Sequence, residues 1–391
     1  MKRSEDRILV SHAGTLPRPD DLRDLMASGS IEAFNQRVPG AVADAVRRQV
    51  EAGVDIVNDG EYSKRGGFSQ YVQERLTGLE RREYGPGEGR PARDITGRDR
   101  VDFPGFFAAG RGDFTNIAGD RAPIRASVNQ PVFCTAPVTY SGGDLVATDI
   151  ANLKAALQGV NVEDAFLPAI APGTIEHWLW NEHYPSDEAF LFAIADAMHE
   201  EYKAVTDAGF MLQIDDPDLA DGWQMYPDMT VAQYRDYAEL RVAAINRALK
   251  DVPMDRVRFH FCWGSGHGPH QNDIPLADLI DILLKIEAQC YSIEASNPRH
   301  AHEWRVWQET KLPDGKILMP GVAGHITDMI EHPQLIADRL ITYAGLVGKE
   351  NVIAGTDCGI GSRVGHGEVA WAKFAAMAEG ARIATRELWG R

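Results

Sequence analysis

The sequence predicts an eight-stranded parallel β/α barrel, on three observations. Short apolar or β-branched runs alternate with longer helical patterns, polar and sulfur-bearing residues gather just past the ends of those runs, and no linker or repeat divides the 391 residues. Barrels of this kind routinely exceed ~250 residues as one unit. Residues 1–391 are therefore read as a single domain.

The runs are, in order, ILVS near residue 8, VDIVN at 54, PVFCTAPV at 131, AFLPAIAP at 165, FMLQID at 210, VRFHFC at 257, YSIEA at 291, KILMPGV at 316 and NVIAGT at 351. Strands separated by helical patterns indicate a parallel sheet, because parallel neighbours need a long crossover. AVADAVRRQVEAG supplies a helix before the second run, SDEAFLFAIADAMHEEYKAVTDAG one before the fifth and IPLADLIDILLKIEAQ one before the seventh. Ser186 predicts a capped start for the second of these and Gly209 its stop. Nine runs are one too many for eight strands, and the first run or KILMPGV is expected to be the accessory one. Residues 80–128 break the rhythm with EYGPGEGRPARD, GRDR and AAGRGD, which carry no helical period. They are expected to be an inserted loop, with a lid over the mouth and a plain surface loop as the two readings.

The composition, 44% hydrophobic and 25% charged, suits a soluble protein with a substantial core. A net charge of -17 would repel a phosphate backbone, and no basic stripe offsets it, so nucleic acid is excluded as a partner. No stretch approaches the ~20 apolar residues of a membrane span, and MKRSEDRILVSHAGTLPRP contains no signal-peptide core, so a cytoplasmic location without a membrane partner is expected. The four cysteines Cys134, Cys262, Cys290 and Cys358 are too few for a disulfide framework in so long a chain. Free thiols or metal ligation are the better expectation.

In VRFHFCWG, strand alternation puts His260 and Cys262 on one face, roughly 6.5 to 7 Å apart along the backbone, near enough to converge on one ion. A packed cysteine beside a hydrogen-bonded histidine is the alternative. In YSIEASNP the charged Glu294 stands in an apolar run, where a carboxylate must be paired, hydrogen-bonded or coordinated. An ion pair with Arg299 or Arg258 is as open as coordination. Cys358 falls just past the last apolar run, at the strand end where barrel active sites form. His260, Cys262, Glu294 and Cys358 thus lie at one rim, and together they form a donor set that zinc accepts. Other strand ends also carry polar residues: Thr15 near the start, Asp59 and Glu61 after VDIVN, Asp215 and Asp216 after FMLQ. Asp59 and Asp216 are expected to cap the helices that follow, and Glu61 and Asp215 to bind a ligand.

Taken in order, these segments resemble the C-terminal catalytic barrel of cobalamin-independent methionine synthase. GTLPRP is similar to that family's GS-x-P, NDGE to its HGE, APGTIEHW to its GPVTILNW, QIDDP to its QIDEP, HFC to its H-x-C, SIEAS to its IETS, MPGV to its GPGV and TDCG to its PDCG. The resemblance covers nearly the whole chain and implies a (β/α)8 TIM barrel with zinc held by His260, Cys262, Glu294 and Cys358. It implies homocysteine contacts at Thr15, Glu61 and Asp215, and an active-site tryptophan at Trp178. The family's Tyr-Asp-Ile-His is here Ala323-Gly324-His325-Ile326, with the histidine one place early. The segment at 80–128 and the WGSGHGPH loop with His267 and His270 have no counterpart in it.

The function expected is that of a zinc-dependent methyltransferase that turns a small, homocysteine-like thiol into a thiolate. His325 or His267 is the candidate acid for the leaving group, a surface or structural role being the alternative for each; Glu294 is the ligand that swings aside. The partners implied are the thiol and a methyl or alkyl donor, with self-assembly left open. A zinc-dependent transferase or lyase acting on an epoxide or thioether is the second reading, and a non-catalytic zinc-binding protein the third.

Overall fold

The computed structural model describes residues 1–65, 68–85, 88, 94–109, 131–361 and 363–390. Its strands are β1 (Leu9–Val10), β2 (Ile56–Asn58), β3 (Leu79–Arg81), β4 (Val132–Cys134), β5 (Asp164–Ile170), β6 (Leu179–Asn181), β7 (Met211–Asp215), β8 (Val257–Phe261), β9 (Cys290–Ile293), β10 (Ile317–Ala323) and β11 (Ile353–Thr356). Eight pair in the order β1-β11-β10-β9-β8-β7-β5-β2, every neighbour parallel. The ring closes where the Asp55 amide donates to the Val10 carbonyl at 2.9 Å and Ser11 Oγ to the Ile56 carbonyl at 3.1 Å. The predicted barrel is therefore present. Its strands are buried on both faces, which is why they appear in the sequence as nearly unbroken apolar runs.

The accessory run is neither of the two expected. PVFCTAPV forms β4, which pairs antiparallel with β3 and parallel with β6 in a separate three-stranded sheet, whereas the first run and KILMPGV are barrel strands. Local composition could not make this distinction, because β4 is as buried as any barrel strand. Cys134 belongs to this side sheet and lies far from the mouth in sequence and in sheet order.

Helices follow their predicted places with one exception. Ile31–Glu51 precedes β2, and Asp187–Asp207 precedes β7 with Ser186 Oγ accepting the Ala189 amide at 3.1 Å. The helix expected from IPLADLIDILLKIEAQ is instead a 3₁₀ turn at Leu276–Asp278 and a single α-turn at Ile280–Leu283. Leu276, Leu279, Ile280, Ile282 and Leu283 are buried while Ala277, Asp281 and Lys285 are exposed, so the amphipathic pattern is kept although the helix stops after one turn. The stretch 80–128 is also more ordered than its composition implied, with short helices at Gly97–Asp102 and Pro104–Ala108. Its remaining parts at 86–87, 89–93 and 110–128 lie outside the described residues.

Alternation along the strands layers the barrel interior. Leu9, Ile56, Phe166, Met211, Cys290, Ile317, Met319 and Ile353 form one apolar cluster at its floor. Two residues further along the strands, about 6.6 Å higher, come Ser11, Gln213, Arg258 and Ser292. Two further again come Asp215, His260 and Glu294. The interior thus passes from apolar to polar to reactive as it approaches the C-terminal rim. Among the described residues no helix is long and apolar enough to cross a membrane.

Candidate metal and substrate site

β8 delivers His260 and, one residue past its end, Cys262; the turn after β11 delivers Cys358. One ring nitrogen of His260 and the two sulfurs all lie within 4.8 Å of one another, and the sulfurs are 3.9 Å apart. Two sulfurs bound tetrahedrally at ~2.3 Å would stand about 3.8 Å apart, so the spacing fits zinc. His260 Nδ1 is held by Ser292 Oγ at 3.0 Å, while its Nε2 is buried without a hydrogen-bond partner. A buried ring nitrogen left unpaired is costly unless a ligand completes it. Fixing one nitrogen by hydrogen bond so that the other is aimed is also how metal-binding histidines are oriented. The Cys262 thiol donates to Cys358; that bond, with burial adding to it, drives Cys262 well above the usual thiol range, while on Cys358 the same bond outweighs burial and holds it well below. The pair thus already stabilises one thiolate. Burial opposes the charged form of His260, but the neighbouring Cys358 sulfur outweighs it and the net shift is upward.

Glu294 falls in an adjacent group rather than within this trio. Its Oε2 accepts the Trp263 amide at 2.9 Å and its Oε1 the Asn297 side-chain amide. Neither Arg299 nor Arg258 pairs with it: Arg299 donates to the Gln271 carbonyl, and Arg258 is engaged across the barrel. Ligand atoms of Glu294, His325 and Asp357 lie within 4.8 Å of one another. Burial, then the Asp357 charge, pushes Glu294 up to about 8. Asp357 is fully occupied in holding the β9 exit, accepting from the Ala295 and Ser296 amides and from Ser296 Oγ. His325, completely buried, meets Ser265 Oγ through Nε2 at 3.1 Å and leaves Nδ1 unpartnered. Burial lowers its pKa and keeps it neutral. Ser265 Oγ in turn donates to Cys358 Sγ at 3.7 Å, joining the two groups.

The opposite wall is acidic. Asp215 Oδ1 accepts Gln213 Nε2 at 2.7 Å, and Gln213 Oε1 accepts Arg258 Nε at 2.7 Å, so the arginine dictates which way the amide faces. Arg258 also donates to Ser11 Oγ and the His12 carbonyl and lies 3.9 Å over the Phe166 ring. Burial, with nearby Glu61 adding to it against the opposing His260, raises Asp215 to about 7. Glu61 adopts φ +60°, a conformation few side chains accept, and accepts Thr15 Oγ1 at 2.9 Å. Gly14 makes room for it, since a Cβ there would lie 2.5 Å from Glu61 Oε1. Asp59 receives the Glu61 amide at 3.0 Å in a local turn, whereas Asp216 receives Thr174 Oγ1 at 2.8 Å from the helix Pro172–His177 and does not cap the helix that follows it.

Trp178 stands at the outer rim, 38% exposed, its ring tilted 35° against His177 at 5.1 Å. His267 is exposed on the loop after β8, whereas His270 is tied to Asp273 and the Gly266 carbonyl. Of the two histidines proposed as acids, only His325 lies beside the trio. Sequence reading passed over Ser265, Ser292 and Asp357. Ser292 shares the inward parity of Glu294 within an apolar run and was open to the same argument; Ser265 carries no such signal.

The family described as "Cobalamin-independent synthase, Catalytic domain" matches residues 129–382. A methionine synthase of Saccharolobus islandicus is 26% identical over 388 residues, covering 96% of this chain and 94% of the relative. One from Thermococcus kodakarensis is 24% identical over 360 residues, covering 91% and 86%. Among solved structures, a B12-independent methionine synthase from Shewanella sp. W3-18-1 in complex with selenomethionine superposes with a TM-score of 0.72 at 20% identity, over 98% of this chain and 100% of that one. A methyltransferase from Methanosarcina mazei gives 0.52 at 14% identity, over 95% and 94%.

Proposed function

This chain belongs to the cobalamin-independent synthase catalytic-domain family, and from that premise we propose that it is a zinc-dependent methyltransferase acting on a small amino-thiol of the homocysteine type. The observation that carries the proposal is the unpaired Nε2 of His260 facing two cysteine sulfurs, at the same rim as Asp215 and Glu61. The methionine synthase relatives, which this chain matches over nearly their whole length, support homocysteine as the thiol. The proposal takes residues 1–391 as one barrel domain and 80–128 as an insertion.

His260, Cys262 and Cys358 would hold the metal, with Glu294 as the fourth ligand. Bound zinc supplies a Lewis acid that lets a thiol exist as a thiolate at neutral pH. Two cysteinates keep such a centre electron-rich, so the substrate sulfur stays nucleophilic. Glu294 would be the least tightly committed of the four, since the Trp263 amide and the Asn297 side chain already hold both its oxygens. Asp215 and Glu61 bind the substrate ammonium; Gln213 and Arg258 hold Asp215 in place, and Thr15 does the same for Glu61. The neutral His325 would accept the thiol proton at its unpartnered Nδ1 and deliver it to the leaving group. Trp178 walls the outer side of the pocket.

X-ray absorption at the zinc edge, with and without homocysteine, tests the reading. An added sulfur neighbour in the presence of the thiol is expected, and an unchanged sulfur count would overturn it. Assays with methyl, epoxide and thioether donors then fix the reaction.

A further inference from the structure

The described part of the insertion, which the barrel chemistry leaves unused, meets the loop from Trp263 to Asp273 that follows β8. Gly97 presses onto the helix Asp218–Met225, where a Cβ would lie 2.6 Å from the Gln224 carbonyl. Arg98 donates to the carbonyls of Trp223 at 2.6 Å, Tyr226 at 3.0 Å and Met229 at 2.8 Å, with its guanidinium 3.4 Å over the Trp223 ring. So anchored, Asp99 is 3% exposed, and its Oδ1 accepts both the Asn272 amide at 2.9 Å and the Asn272 side chain at 3.0 Å. A buried carboxylate is expensive to place, and here it is placed on the backbone of the rim loop.

From Asn272 the contacts run to the site. Asp273 meets His270 Nδ1 at 2.8 Å and His300 Nε2 at 3.0 Å, and His270 Nε2 meets the Gly266 carbonyl at 3.0 Å, one residue from Ser265. His300 lies flat on the Trp263 ring at 3.6 Å, and the Trp263 amide holds Glu294.

We propose that Asp99 is a positioning residue: through Asn272, the inserted segment sets the loop that carries Trp263 and Ser265, and thereby the place of Cys262 and Glu294. The insertion is then a buttress of the metal site and not a decoration of the barrel. The link to the metal rests on the zinc reading above; the link to the loop does not.

Hydrogen exchange of the full chain, read by peptide mass spectrometry, separates the two. Losing a hydrogen bond to a charged acceptor, about 1.5–3 kcal/mol, should speed exchange of amides in 264–273 by ~10-fold or more in Asp99→Ala. Asp99→Asn keeps an acceptor for the Asn272 amide and should restore much of the protection, which also covers the case of a poorly folding alanine variant. Acceleration confined to 94–109, with 264–273 unchanged in both variants, would overturn the proposal. In zinc-loaded protein, Asp99→Ala should release metal to a chelator several-fold faster than the parent. Equal release rates despite a loosened loop would overturn the link to the site, while a parent chain that holds no zinc would overturn the zinc reading and leave exchange to decide the loop.

Discussion

On the sulfur wall of the barrel mouth, His260 Nε2 has no partner and Cys262 shares its proton with Cys358. On the carboxylate wall, Glu61 accepts from Thr15 with Lys64 3.7 Å away, and Asp215 accepts from a Gln213 whose orientation Arg258 sets. Both walls are buried, yet only one is complete by its own hydrogen bonds. On the reading proposed above, the unpartnered ring nitrogen beside two sulfurs is the place for a cation, and the satisfied acidic wall is a preformed recognition surface. If that reading holds, metal binding and substrate choice should fail separately.

The largest break expected is Cys358→Ser, which should lose bound zinc and all thiol alkylation. Stoichiometric zinc in that purified variant, by atomic emission, would sink the ligand assignment. Next is Asp215→Asn, expected to lower kcat/KM for an amino-thiol about 100-fold, on the scale of a lost buried ionic contact, with zinc content unchanged. With Asp215 raised to about 7, protonation discharges it below that pH, so KM for the amino-thiol should climb as pH falls through 7. A flat KM across pH 6 to 8 would deny Asp215 the ammonium. Glu61→Gln should cost about 10-fold and should spare a thiol lacking the amine; equal losses on both thiols would merge the walls that the comparison separates.

The smallest effect concerns stability. Burial raises Asp59 to about 7 against ~3.9 in an unfolded chain, so between those values the folded protein binds more protons. Its stability therefore falls as pH rises from 4 to 7, by on the order of a few kcal/mol for this group alone. Asp59→Asn keeps the acceptor for the Glu61 amide and should flatten the curve of Tm against pH. An unchanged slope would place the charge elsewhere.

How far the sequence carried this reading is clearest at individual residues. His260 and Cys262 were legible because a strand alternates its faces by covalent geometry, and Cys358 because the end of an apolar run marks a strand end. The same geometry laid the barrel floor, the polar layer and the reactive rim in steps of two. Asp215 and Glu61 stood out as charges where apolar residues should end. What sequence alone determined is therefore whatever repeats along the chain: the alternation of strands and helices, inward parity and the rim.

Tertiary structure decided everything that depends on two distant segments meeting. Glu294 could have paired with an arginine, and only the arrival of Trp263 from the neighbouring strand, beside the local Asn297, settled that it does not. PVFCTAPV reads as a barrel strand, and only its pairing with β3 and β6 puts it outside. Ser265 and Asp99 carry no local signal, because their parts come from partners 93 and 173 residues away in sequence. Periodicity is a property of one segment's backbone, but a hydrogen bond between segments exists only once the barrel has brought them together.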